Sequence, residues 1–137
     1  MLKYYVADAF ADNTFEGNPA GVCVLDEWLP HDKMQKIAME NNLSETGFVV
    51  KKSDNPNYDI VARAFWPKIG INEDPVCGSM HSTLMPFWGE RLGKDTIASR
   101  NLSKRSGTVY CEQKGDAVKI SGRCALYLIG EILTDED

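Results

Sequence analysis

The chain has 137 residues, 43% hydrophobic and 26% charged, which is room for one domain with one core and too little for two of full size. A formal net charge of -5 denies it the basic field that draws nucleic acid or an anionic membrane surface, so neither partner is expected. No apolar run approaches the length needed to cross a bilayer, and the opening MLKYYVADAF lacks the apolar stretch and cleavage site of a secretory leader, so a cytoplasmic protein is expected.

In chain order, KYYVADAF (3–10) alternates well enough for a first strand, and DNTFEGNP is a turn-rich connection. AGVCVLD is a short apolar run and predicts a buried second strand. Pro30 opens a helix on which Met34, Ile37 and Ala38 share the apolar side, with Asp32, Lys33, Lys36 and Glu40 opposite. Asn41-Asn42 ends it. ETGFVVKK is the third strand, SDNPN a turn, and YDIVARAFW a fourth strand halted by Pro67.

The loop PKIGINEDP leads to a second helix. Met80, Leu84, Phe87, Trp88 and Leu92 form its apolar stripe and Gly93 closes it. Four strands follow, TIASRNLS, GTVYCEQ, AVKISG and CALYLIGEIL, joined by Ser-Gly, Lys-Gly-Asp and Ser-Gly-Arg turns. The tail TDED reads as frayed and solvated. Two helices and about eight strands predict an α+β domain whose mostly antiparallel sheet curls round a helix.

The stretch GINEDPVCGSMHSTL (70–84) concentrates chemistry at a helix start. Asp74 suits an N-cap and Pro75 a first helical residue, with a second start possible at Gly78-Ser79. In either case Cys77, Gly78 and Ser79 stand at or near unpaired backbone N–H groups that favour a carboxylate or phosphate. The plainer alternative is a capped helix whose glycine permits close packing. Cys77 there is either a thiol of lowered pKa or a small buried residue, and Ser79 an anion donor or a cap. His81, one turn further on, reads as a packed or hydrogen-bonded residue.

Two further motifs stand out. In NNLSETGFVV, Glu45 lies between a helix and an apolar strand, where a carboxylate can be pushed toward neutrality and serve as a general acid/base, or can simply cap the loop. FEGNPAGV, with Asn18 as its candidate substrate-binding residue, is either a backbone loop around a substrate or a tight hairpin. Cys23, Cys77, Cys111 and Cys124 have no C-x-x-C spacing and read as reduced thiols. His31 and His81 are too few and too far apart for a metal site, so no metal is expected.

DAFADNTFEGNPAGVCVLDEWLPHDKMQKIAMENNLSETGFV resembles the N-terminus of the PhzF family of phenazine-biosynthesis-like isomerases, with FEGNPAGV and NLSETGFV the most specific signatures. RAFWPKIGINEDPVCGSMHSTLMPFWGERLGK and SKRSGTVYCEQKGDAVKISGRCALYLIGEIL resemble the same family's C-terminal half. The resemblance implies a diaminopimelate-epimerase-like fold. In the family, two such domains flank the active-site cleft. Here residues 1–57 resemble the start of the first domain and 58–134 the end of the second, so a single composite domain over 1–137 is expected.

By the same resemblance, Glu45 matches the proton-transferring acid/base and Asp74 the second domain's active-site aspartate. Gly78 and Ser79 match positions facing the substrate, and Cys77 aligns with the catalytic cysteine of the related epimerases. The family's first-domain histidine has no counterpart. The function implied is cofactor-independent proton transfer on a small carboxylated carbon acid, at a cleft made by a homodimer. The alternative is a non-catalytic relic serving as a small-ligand-binding or assembly domain.

Overall fold

The structure is a computed structural model in which residues 2–9, 11–16, 18–50 and 54–131 are described. Strand β1 (Lys3–Ala9) pairs antiparallel with β2 (Asn18–Leu25), from Lys3 opposite Val24 to Ala9 opposite Asn18. Helix α1 (His31–Asn41) then crosses to β3 (Glu45–Val50), parallel to β2. β4 (Ile60–Trp66) returns antiparallel on β3. A 3-10 turn (Pro67–Ile69) and a short β5 (Ile71–Asp74) follow, β5 pairing with β4. Helix α2 (Met80–Leu92) crosses to β6 (Thr96–Asn101), parallel to β4. Antiparallel β7 (Gly107–Lys114) and β8 (Ala117–Ser121) complete the order β1-β2-β3-β4-β6-β7-β8, with β5 beside β4.

Each helix is thus the crossover of a parallel strand pair. Because β3 and β4 run antiparallel, two crossovers of the same hand place their helices on opposite faces. The side-chain alternation follows. Val22, Val49, Ile60, Ala62 and Ala64 point to the α2 face, where they meet Met80, Leu84, Met85 and Trp88. Cys23, Leu25, Phe48, Val61 and Phe65 point to the α1 face, against Met34 and Ala38. The α2 face is the deeper, because β6, β7, β8 and β1 curl round that helix. The fold is therefore α+β with a curled sheet about a central helix, as expected, and its pairing is mixed.

The helix ends explain themselves. Asn42 takes a left-handed conformation and its N–H returns to the Ala38 carbonyl, closing α1. Gly93 does the same for α2 at φ 64°. Met80, at the start of α2, lies so close over β3 that a Cβ on Gly47 would run into its sulfur. That approach brings the start of α2 down onto the start of β3.

Three expectations need correction. The 67–75 loop contains β5, docked on β4 through a two-pronged pair in which Arg63 Nε and Nη2 donate to Glu73 at 2.6 and 2.8 Å. α2 begins at Met80, with Ser79 as its cap position, so the later of the two starts is the real one. Asp74 Oδ1 instead accepts the Val76 N–H at 3.0 Å, making a turn before the helix. Finally, residues 122–131 of CALYLIGEIL and its approach are in no strand. The expected structure at 51–53, the rest of that last strand and the TDED tail lie outside the described residues. No described helix is long and apolar enough to cross a membrane.

Candidate functional site

The parallel register sets Ala20 of β2 beside Glu45 of β3, which leaves Asn18, two residues earlier on the same face of β2, within reach of the Glu45 side chain. The start of α2, pressed down by Met80 over Gly47, brings Cys77 and Ser79 to the same carboxylate. Asn18 Nδ2 donates to Glu45 Oε1 at 2.8 Å, Ser79 Oγ donates to the same oxygen, and Cys77 Sγ donates to Oε2 at 3.3 Å. Cys77 Sγ and Ser79 Oγ are themselves 3.4 Å apart. Glu45 is only 1% exposed, so three side chains from two distant stretches take the place of water around it. All three donate, which suits a carboxylate that can only accept.

Of the six residues singled out from the sequence, the structure therefore gathers four, Asn18, Glu45, Cys77 and Ser79, into one hydrogen-bonded cluster. Gly78 borders it, exposed, and a Cβ there would meet nothing within 4 Å. Asp74 is not tied to Glu45; its carboxylate serves the Val76 turn at the cluster's margin.

Of the two readings of Cys77, the geometry agrees with the small buried residue, which is 1% exposed. Burial, and then the adjacent Glu45 charge, push Cys77 up to about 12, so the helix start does not yield a thiolate. Cys77 is a hydrogen-bond donor to Glu45.

His81 supports this arrangement from below. Its Nδ1 lies 2.6 Å from the Cys77 carbonyl and its Nε2 2.8 Å from Ser99 Oγ. A carbonyl only accepts, so Nδ1 carries the proton and Nε2 accepts from the serine. Burial holds His81 down to about 4. The sequence marked His81 as packed or hydrogen-bonded, and it is both. What the sequence did not show is that this histidine fixes the backbone of the residue beside Glu45.

An open cavity of about 510 Å3 adjoins the helix start, with Val76, Gly78, Gly107, Thr108, Ser121 and Arg123 on its walls. Arg123 is the cation there, and only its place in a Ser-Gly-Arg turn could have hinted at it from the sequence. Among the described residues, no group of three or more His, Cys, Asp or Glu could hold a metal ion.

The model of the family described as "Phenazine biosynthesis-like protein", PhzC-PhzF, matches this chain twice, over residues 7–60 and 50–130. The chain belongs to the PhzC-PhzF family. The "Uncharacterized isomerase PA3578" of Pseudomonas aeruginosa is 40% identical over 257 aligned positions, covering 96% of this chain and 98% of that one. That alignment is nearly twice as long as the chain's 137 residues, so a long gap interrupts this chain within it. The "Uncharacterized isomerase BH0283" of Halalkalibacterium halodurans is 39% identical over 85 residues, 62% of this chain but 32% of that protein. A phenazine biosynthesis protein of the PhzF family from Bacillus anthracis superimposes with a TM-score of 0.65 at 24% identity, over 85% of this chain and 38% of that one, a likeness of fold alone. At 137 residues the chain is about half as long as a full-length relative such as PA3578.

Proposed function

We propose that this PhzC-PhzF chain is a cofactor-independent isomerase that moves a proton on a small carboxylated carbon acid, with Glu45 as the carrier. The observation that carries the reading is the Glu45 cluster: a carboxylate buried in the core yet fully hydrogen-bonded by Asn18, Cys77 and Ser79. Its relatives PA3578 and BH0283 carry the name isomerase.

In the proposed step a carboxylate oxygen of Glu45 takes the proton from a carbon next to the substrate's acid group. The C–H electron pair passes into that group as an enolate, and Glu45 then returns the proton to the same or a neighbouring carbon. Atoms and electrons balance without an oxidant. The developing negative charge would face the positive end of the α2 dipole and Arg123 across the cavity. Access requires one donor to turn aside, and Ser79, partly exposed, is the one beside open space at Gly78. A second copy of the chain would close the cleft over this face, standing in for the family's other domain.

The closed state of Glu45 also favours a second reading, a non-catalytic domain in which the cluster ties α2 to the sheet. Incubation with a panel of small carbon acids in D2O separates the two. The isomerase reading expects deuterium at the carbon next to the acid group of at least one compound. Absence of exchange across the panel supports the binding or assembly domain.

A further inference from the structure

The segment after β8 is the largest departure from a closed fold. From Gly122 to Glu131 the backbone is in no helix, strand or turn. Leu126, Tyr127, Leu128 and Ile129 are 80%, 98%, 75% and 84% exposed. Four consecutive large apolar residues in water are far outside what an isolated soluble domain tolerates. The sequence is nonetheless that of a strand.

A two-residue hairpin at Gly122-Arg123 would fold the segment back along β8, and such a turn uses a left-handed glycine. Gly122 is not among the glycines of positive φ, and residues 122–131 contain no turn. The chain instead runs straight past Thr108, leaving the sheet at the end where Val76 and Gly78 lie. Meanwhile β1 is an edge strand with Tyr5 and Val6 39% and 59% exposed.

We infer that residues 125–129 of one copy add as an antiparallel strand to the β1 edge of a second copy, and reciprocally, so that two chains form a strand-exchanged homodimer. Charge fits this direction. Setting Leu126–Ile129 against Tyr5 and Val6 brings Arg123 toward Asp8 and Glu131 toward Lys3, whereas parallel addition would set like charges together. Area fits as well. The four side chains offer about 600 Å2 per copy, and a two-fold exchange doubles this before the covered β1 edges are counted, reaching the roughly 1,200–2,000 Å2 of stable interfaces. Reciprocity closes the assembly at two. The inference uses no property of Glu45: a dimer indifferent to Leu128→Pro and Val6→Asp overturns it and leaves the proton-transfer reading standing, whereas a wild-type monomer also removes the second copy that reading invokes.

Sedimentation at micromolar concentration, with hydrogen exchange read peptide by peptide, tests it. The wild type is expected to be a dimer with protected amides at 125–129. Leu128→Pro, at a position exposed in the single chain, removes a ladder donor and is expected to weaken dimerisation by roughly 100-fold with unchanged far-UV dichroism. Leu128→Val is expected to keep the dimer. Val6→Asp, on the receiving edge, is expected to yield monomer. A wild-type monomer overturns the inference, as do protected 125–129 amides in a monomer, which mean pairing within one chain. A dimer indifferent to Leu128→Pro or to Val6→Asp, or open-ended association, overturns it equally.

Discussion

Cys77 Sγ lies 3.3 Å from Glu45 Oε2, a thiol donating to a carboxylate 32 residues earlier in the chain. The contact fixes the chemistry of both. The carboxylate gains a donor, and burial, followed by the neighbouring Glu45 charge, disfavours ionisation of the thiol. Cys77 is accordingly expected to resist alkylation: at pH 8, with its pKa pushed up to about 12, roughly one molecule in ten thousand carries the thiolate. Iodoacetamide labelling of the folded protein, read by peptide mass, should leave Cys77 unmodified until denaturant is added. Rapid native-state labelling of Cys77 would show that the contact is not kept in solution.

His81 gives the fold an acid limit. Held down to about 4 when folded and near 6.5 when unfolded, the ring binds its proton more readily in the unfolded chain. The unfolded state therefore takes up more protons between these values, and stability falls as pH drops through that window, by about 3 kcal/mol in all. Urea midpoints measured from pH 7 to pH 4 should decline for the wild type. In His81→Gln, less stable throughout, the component of that decline belonging to this ring should be gone. An identical slope in both proteins would place the acid limit elsewhere.

Gly47 and Met80 set how closely α2 approaches the sheet. Gly47→Ala should cost about 1–3 kcal/mol in urea unfolding, because the added methyl meets the Met80 sulfur in a packed core. Combining it with Met80→Ala should cost less than the sum of the two single changes, since they share one space. Strict additivity would mean that the helix does not lie against Gly47.

Ser79→Ala removes a donor to Glu45 from the partly exposed side of the cluster. If the exchange activity is found, this change should weaken apparent substrate binding by roughly tenfold to 150-fold, the equivalent of one lost hydrogen bond to a charged group, about 1.5–3 kcal/mol. An effect confined to thermal stability, with no change in substrate dependence, would make Ser79 a structural tie.

Much of this was legible in the sequence, for local reasons. The apolar spacing of Met34, Ile37 and Ala38 and the Asn42 and Gly93 stops are short-range signals, and the helices obey them. Glu45 stood out because a carboxylate at the mouth of an apolar strand has to find partners. What failed was non-local. Asp74-Pro75 carries every mark of a helix cap, but a turn to Val76 uses the same carboxylate geometry five residues early. β5 is four residues long and mostly polar, and its pairing with β4, with the Arg63–Glu73 pair beside it, is a tertiary contact that no local pattern announces. The two readings of the Cys77 thiol stayed open because helix position is visible in a sequence, whereas burial beside Glu45 is not. Residues 124–131 look like a strand and lack only a neighbour.

Glu45 as proton carrier is the assignment on which the proposed activity depends. The measurement is deuterium incorporation from D2O into the most responsive carbon acid, by wild type, Glu45→Gln and Glu45→Asp, each first shown to be folded by its unfolding transition. Glutamine keeps the acceptor for Asn18 and Ser79 but cannot take up and return a proton, so exchange should fall by at least about 100-fold. Aspartate, a shorter carboxylate, should retain part of it. Undiminished exchange in folded Glu45→Gln would contradict the assignment outright.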